Sequence, residues 1–510
     1  MKRDDGSGPK DIKAEIVEKR LGRIKEQGHS LGHPIPAVRQ APLVPFLDGP
    51  GVICEVKRKS PSKGEISMSL DPVVQAGRYY EAGVRSVSVL TEEDYFSGSL
   101  EDLMAVKAAY PGLAVLRKDF LVDEEDLDVS YRAGADAVLL IASMLTGDEL
   151  ASMYRKALSL GMAVLFEIHD EDDIAKAAYV KPEIIGINCR DLKTFTTDLV
   201  YPLKVRARLL KEGISYGRLV FESGIFRKED AAFAYNSGFS AVLVGEGVVR
   251  NPGLIPELVE ASAEFFTKDG KAGFWGCLYQ RRYGAAGSLA DPGKMPLVKV
   301  CGLTRLEDAK LAAESGADIL GFIFVESSPR FTNAALVRSV DAMLKASATA
   351  ELPLKAAVVV TGTGDSGEIP AEVLELLNEG IIDAVQFHGA ETPDGCFPVA
   401  FPYYKALRIG TAEHAASVSE YRCPRILVDA FSKEGYGGTG RRIDPALVGE
   451  VKNRTPLWIA GGINPDNVAE IVETWEPELI DLASGIESAP GIKDHEKMKS
   501  FFGALGVFKR

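Results

Sequence analysis

The chain has 510 residues, 46% of them hydrophobic, and carries 73 acidic against 59 basic side chains for a net charge of −14. That length is about twice the roughly 250 residues of one α/β barrel, and no stretch approaches the roughly 18 uninterrupted apolar residues of a membrane span. The negative balance opposes general attraction to nucleic acid or an anionic membrane, so an anionic ligand has to be held by local groups.

The first residues, MKRDDGSGPKDIKAEIVEKR, are charged and lack the apolar core of a secretory signal, so a cytoplasmic protein is expected. Residues 11–27 read as an amphipathic helix and residues 35–47 as a second element, an extension suited to capping a barrel mouth. Apolar runs then fall near residues 52–57, 86–90, 113–117, 137–141, 162–167, 184–188, 218–222 and 241–245. Helical stretches separate them, and several end in a glycine directly before the next run, as in EAGVRSVSVL, RAGADAVLLIA and NSGFSAVLVG. Each of these predicts a helix stopped by a left-handed glycine cap and followed by a strand. Strands buried on both faces and alternating with helices imply a parallel sheet, and eight of them make a barrel.

Residues 263–294 lose this alternation and gather Gly, basic and aromatic residues. The segment is either a tether or, because Phe274, Trp275, Leu278 and Tyr279 are costly to leave in water, an element docked on a barrel. Eight further apolar runs follow, near 297–301, 319–324, 355–360, 382–387, 403–407, 425–429, 457–460 and 479–483. The expected fold is therefore α/β with two tandem (β/α)8 TIM barrels, over residues 1–262 and 295–510, the first carrying an N-terminal helical extension.

Active sites of such barrels lie at the carboxyl ends of the strands. In ICEVKRKSPSKGEI, Glu55 and Lys57 are two residues apart on a strand and point the same way. At the other strand ends stand Ser60, Lys118, Phe120, Glu167, Asn188, Arg190, Glu222, Ser223, Gly245 and Glu246. Three carboxylates and two lysines converging from separate strands perturb one another's pKa and suit acid-base chemistry. In the second half Lys299 and Cys301 share one strand face. Each half also closes with glycine turns: ESGI (with Gly224) and LVGEG, then AGGIN (Gly461, Gly462, Asn464) and ASGIES (Ser484, Gly485). Such glycines let backbone N–H groups close around a phosphate, so a sugar phosphate is the expected ligand. The six cysteines are scattered with no Cys-x-x-Cys pair, which favours reduced thiols over a disulfide framework or a zinc site.

The segments EVKRKSPS, LRKDF, GINCRD and ESGI, with Glu167, resemble indole-glycerol-phosphate synthase over residues 10–262. KVCGLT, SPRF, QFHG, LVD, GGTG (437–440), GGIN and DLASG resemble phosphoribosylanthranilate isomerase over residues 295–510. The order resembles the fused bifunctional enzymes of tryptophan biosynthesis. For the second half the resemblance implies an Amadori rearrangement with Asp429 as acid and Cys301 as base, the latter helped by Lys299. Arg330 then meets the anthranilate carboxylate, while Gln386, His388, Gly461, Gly462, Asn464, Ser484 and Gly485 bind substrate. For the first half it implies decarboxylating ring closure with Lys118 as acid near the carbonyl and Lys57 paired with Glu55 and the substrate carboxylate. Glu167 is then a base, Asn188 and Glu222 hold hydroxyls, Phe120 packs on the aryl ring, and Arg190, Ser60, Ser223, Gly224, Gly245 and Glu246 complete the binding set. The expected ligands are phosphorylated anthranilate derivatives, with no metal, organic cofactor or nucleic acid, and a monomer is compatible with the sequence.

Two departures from these families stand out. KAAVVVTGTGDSGEIP, with Thr361, replaces a Gly-Val-Phe-Val-Asn pattern, and Glu246 occupies a phosphate turn where Ser is the more obvious ligand. Two alternatives remain open at this level. One is a different sugar-phosphate isomerase or epimerase, although His169, His388 and His495 share no metal-ligand spacing. The other is a barrel that binds without turning over.

Overall fold

Strands form where the sixteen apolar runs fall, and they close into two eight-stranded parallel barrels. The computed structural model describes residues 12–61, 64–190, 197–264, 273–285, 295–347, 352–361, 368–393, 401–421, 423–430 and 443–506. The expected GGTG motif (437–440), Ser62 and residues 362–367 of the variant loop lie outside them. The chain divides into two units, Met1–Ala272 and Gly273–Arg510.

The first barrel comprises β1 (Gly51–Val56), β2 (Ser86–Leu90), β3 (Ala114–Lys118), β4 (Ala137–Ile141), β5 (Ala163–Ile168), β6 (Ile184–Asn188), β7 (Arg218–Glu222) and β8 (Ala241–Val244). Each strand pairs with its sequence neighbours, and β1 pairs with β8 at Ile53 opposite Leu243 to close the ring. The glycines expected to stop helices, Gly83, Gly134 and Gly238, have φ of 96°, 103° and 89°, the left-handed region that a Cβ disfavours. Inward-facing Ile53, Leu116, Leu139, Leu165, Val220 and Leu243 fill the barrel.

The N-terminal extension grips both ends of this barrel. Residues 35–47 form no regular helix or strand, contrary to the expected second element. Arg39 holds them in place by donating to Asp136 at 2.7 Å and to the Ala135 carbonyl at 2.6 Å, just ahead of β4. Phe46 and Leu47 then join the interior cluster beside Ala114, Ala137 and Ala241, the first residues of their strands, and seal the amino-terminal end. At the other end the helix Ile12–Gln27 is fixed by Arg20, which pairs with Asp119 at 2.9 Å and Asp126 at 2.6 Å.

The second barrel comprises β9 (Leu297–Cys301), β10 (Ile319–Ile323), β11 (Leu354–Val359), β12 (Ala384–Phe387), β13 (Tyr403–Ile409), β14 (Ile426–Ala430), β15 (Trp458–Ile459) and β16 (Leu479–Leu482). Part of the apolar segment before it is the helix Phe274–Ala285, which docks on this barrel. The Trp275 ring lies 5.6 Å from that of Trp458, and Phe274 stacks on Tyr404 at 6.1 Å. One buried carboxylate oxygen, Glu478 Oε2, accepts from Tyr279 Oη at 2.8 Å, Trp458 Nε1 at 2.9 Å and Arg425 Nε at 2.7 Å. Trp275→Ala empties a site that is 3% exposed and is expected to cost the second unit about 3–5 kcal/mol. All three tryptophans of the chain, Trp275, Trp458 and Trp475, belong to this unit. Urea unfolding of the full chain followed by tryptophan fluorescence reads the effect directly.

Among the described residues no helix is long and apolar enough to cross a membrane.

Candidate active sites

In the first barrel all thirteen residues expected at the site line one pocket at the carboxyl ends of the strands. The alternation of each strand explains the convergence: residues below are apolar, and the last inward positions carry Glu55, Lys118, Glu167, Asn188 and Glu222. Lys118 Nζ is the hub, donating to Glu222 Oε2 at 2.7 Å and Glu167 Oε2 at 3.3 Å. Lys57 pairs with Glu55, whose strand is braced by Tyr79 Oη donating to the Glu55 carbonyl at 3.0 Å.

Electrostatics separates the two carboxylates around Lys118. Burial pushes the Glu222 carboxyl up, and the neighbouring Glu167 charge pushes it further, against the pull of Lys118. Burial also opposes ionisation of Glu167, but Lys118 and His169 outweigh it and hold this carboxyl below the usual range. Burial alone would lower the Lys118 ammonium, yet Glu222, Glu167 and Glu55 together raise it. The pocket thus holds one carboxyl shifted toward its ionised form, a second shifted toward its protonated form, and an ammonium whose charge both support.

His169 was not singled out for the site, although its position two residues after Glu167 puts it on the same face. Its Nε2 lies 3.1 Å from Glu167 Oε1. Burial lowers its pKa, but Asp173 and Glu167 reverse this and raise it from 6.5 to about 9. A raised value in the folded state means that the contribution to stability is complete below pH 6.5 and lost as pH rises through about 9. Against His169→Asn, the wild type should therefore lose on the order of 3 kcal/mol of relative stability across that window. Far-UV circular dichroism of the urea transition that tryptophan fluorescence does not report measures it.

Around these groups Phe120 and Phe96, with ring centroids 6.3 Å apart, join Leu139, Ile141 and Ile16 in an apolar wall fit for an aryl ring. Ser60 Oγ is buried without a hydrogen-bond partner among the described residues, and Ser223 and Gly224 turn the chain with φ of 72° and 74°. The Glu246 carboxylate pairs with Arg250 at 3.0 Å. This leaves backbone N–H groups as the donors of that turn.

In the second barrel the pocket is lined by Cys301, Arg330, Gln386, His388, Asp429, Gly461, Gly462, Ser484 and Gly485. Lys299 and Asn464 do not line the pocket themselves; Lys299 stands directly behind Gln386 and Asp481, which do. Lys299 is fully buried and stands level with Asp481 on the adjacent strand, so that its Nζ reaches Asp481 Oδ2 at 2.6 Å. Asn464 instead builds a turn, accepting from the Asp466 N–H at 2.9 Å.

Lys299 acts on the Cys301 thiol in the expected direction, through its charge and a hydrogen bond, but it does not prevail. Burial pushes this thiol up; Lys299 pulls it down, but Asp481, which neutralises Lys299, pushes it up again and the net shift is upward. Room for the thiol comes from Gly321 on the neighbouring strand, where a Cβ would lie 2.7 Å from Cys301 Sγ.

Arg330 lines the pocket with its planar fork already engaged: Nε donates to Glu487 Oε1 at 2.9 Å and Nη2 to Oε2 at 2.8 Å. Nη1 is the guanidinium nitrogen that Glu487 does not engage. Burial opposes ionisation of Glu487, but Arg330 and Lys493 hold its carboxyl low. Sequence reasoning missed both Glu487 and Lys493, which lie on a hairpin (Glu487–Ala489 with Ile492–Lys493) far along the chain from Arg330. At the variant strand end, Thr361 donates its N–H and hydroxyl to Glu391 Oε1 at 2.9 and 3.2 Å. Glu391 also holds Lys405 at 3.1 Å and accepts from the Gly389 N–H at 2.8 Å, fixing the turn after His388.

Ligand atoms of His29, Asp123 and Asp126 lie within 4.8 Å of one another. Arg20 already occupies Asp126, and the cluster lies outside both pockets.

The family model of indole-3-glycerol phosphate synthase matches residues 37–258, and that of N-(5'-phosphoribosyl)anthranilate isomerase matches residues 298–504. The tryptophan biosynthesis protein TrpCF of Yersinia pestis is 32% identical over 464 residues, covering 89% of this chain and 85% of its own. The chain belongs to the bifunctional synthase and isomerase family of tryptophan biosynthesis. The indole-3-glycerol phosphate synthase of Bacillus cereus is 39% identical over 238 residues, 46% of this chain and 92% of its own. A multifunctional tryptophan biosynthesis protein of Schizosaccharomyces pombe is 31% identical over 483 residues, and the chain spans 89% of its own length but 59% of that protein's. The synthase family thus takes in the pocket around Lys118, and the isomerase family the pocket around Cys301.

Proposed function

We propose that the second barrel isomerises N-(5'-phosphoribosyl)anthranilate to 1-(2-carboxyphenylamino)-1-deoxyribulose 5-phosphate and that the first converts this product to indole-3-glycerol phosphate with loss of carbon dioxide and water. The observation that carries this reading is the presence in one chain of two barrel-end pockets with complementary chemistry, a thiol with a carboxylate in one and a lysine between two carboxylates beside an aromatic wall in the other.

In the isomerase reaction Asp429 protonates the furanose oxygen, the ring opens, and the nitrogen lone pair forms an iminium. Cys301 then removes the adjacent C2' proton, giving an enolamine that tautomerises to the ketone. The thiol's raised pKa fits a base that is released by its substrate, because the iminium charge beside Cys301 favours the thiolate at the step that needs it. Arg330 meets the anthranilate carboxylate through Nη1, while Gly461, Gly462, Ser484 and Gly485 receive the phosphate.

In the synthase reaction the ring carbon bearing the carboxylate attacks the ketone while Lys118 protonates the carbonyl oxygen. Carbon dioxide leaves, and dehydration completes the indole. Glu167, held ionised, serves as the base, and Glu222, which readily carries a proton, assists loss of the hydroxyl. Lys57 faces the substrate carboxylate and Ser60 the phosphate. The cytoplasm, where thiols stay reduced, suits both reactions.

Supplying carboxyphenylamino-deoxyribulose phosphate to the purified chain with chelator present tests the first barrel alone. Indole-glycerol phosphate and carbon dioxide should form in equal amounts; substrate left unconsumed would refute the synthase reading.

A further inference from the structure

Gln386 sits between two groups that fix its amide. Lys299 Nζ donates to Gln386 Oε1 at 2.6 Å. An ammonium has only donors, so that side of the amide must be its oxygen. The amide nitrogen therefore faces His388 Nδ1 at 2.9 Å. Since that nitrogen can only donate, Nδ1 must accept, and a neutral imidazole of this kind carries its proton on Nε2. His388 Nε2 is buried with no hydrogen-bond partner among the described residues and lies 3.6 Å from Asp429 Oδ2. The other Asp429 oxygen accepts the Ala430 N–H at 2.8 Å.

We propose that Gln386 is a positioning residue which, anchored by Lys299 and Asp481, locks His388 in its Nε2–H tautomer so that an N–H rather than a lone pair faces Asp429. The consequence for catalysis rests on Asp429 being the acid of the isomerase reaction. A lone pair at Nε2 would take the proton that Asp429 has to deliver to the furanose oxygen. An N–H there cannot take it, and it offers a donor to the carboxylate once that proton has left.

Two-bond ¹⁵N–¹H correlation spectra of the full chain at neutral pH read the tautomer without any substitution. The His388 signal is identified by its loss in His388→Asn. The expected result is a neutral ring protonated on Nε2. In Gln386→Glu the side chain still accepts from Lys299, so the buried cation keeps its partner, but it can no longer donate to Nδ1. This variant should protonate Nδ1 and lower isomerase kcat about 10²-fold or more with little change in KM. In the His388→Asn background the same substitution should have no further effect on kcat. The proposal is overturned by a wild-type His388 protonated on Nδ1, by an unchanged tautomer in Gln386→Glu, or by a full additive loss of kcat in the His388→Asn background. If Asp429→Asn stays active while His388 remains protonated on Nε2, the acid assignment falls and the lock stands.

Discussion

Lys118→Met is expected to lower indole formation by about 10³-fold while leaving the isomerase reaction intact, so that carboxyphenylamino-deoxyribulose phosphate accumulates. A positioned general acid contributes about 10²–10⁴-fold, and Lys118 is the group that Glu167 and Glu222 both hold in the pocket. The substitution also removes the cation between two buried carboxylates, so the ionised form of Glu167 loses its main support and the base is impaired with the acid. Lys118→Arg should rescue little, since a planar fork cannot take the place of a compact ammonium between two strand ends. Quenched time courses resolved by chromatography measure the intermediate and the product separately. Normal indole formation by Lys118→Met would remove this residue from the chemistry.

Cys301→Ala should have the opposite signature: phosphoribosylanthranilate persists, and supplied carboxyphenylamino-deoxyribulose phosphate is still converted to indole-glycerol phosphate. The expected loss is again about 10³-fold, within the range for a general base. The sign of the pH dependence follows from the thiol's environment. Burial raises the Cys301 pKa above its ordinary value, so kcat/KM for the isomerase reaction should climb as pH increases, approaching tenfold per pH unit while the thiol is mostly protonated. Cys301→Ala should abolish that rising limb. A profile that is flat from neutral to alkaline pH in the wild type would exclude the thiol as the base. The two substitutions together divide the chain's chemistry between its two barrels without any need to separate them.

The barrel strands were legible because each is a short apolar run bounded by a glycine or a polar turn, a pattern that survives whatever packs around it. Glu55, Lys118, Glu167 and Glu222 were legible for a related reason: alternation along a strand gives the direction of every side chain once the strand end is known. The parts that escaped depend on partners distant in the chain. Nothing near Lys299 says that Asp481 will neutralise it, and nothing near Arg330 announces Glu487, whose hairpin follows the last strand. Residues 35–47 carried enough apolar side chains to suggest a regular element, but they hold their place through Arg39 and through Phe46 and Leu47 at the barrel end, with no helix or strand. In the aromatic segment at 274–279, the cost of exposure made docking one of two open readings beside a tether, and only the barrel's Trp458, Tyr404 and Glu478 decide between them and say where.

The most direct test is to mix the purified full chain, in chelator, with freshly generated phosphoribosylanthranilate and follow the loss of its fluorescence beside the rise of indole absorbance. Two consecutive reactions in one chain predict that fluorescence falls first and that indole absorbance follows until the amounts match. Substrate consumed with no indole formed would contradict the synthase role of the first barrel, and unchanged fluorescence would contradict the isomerase role of the second.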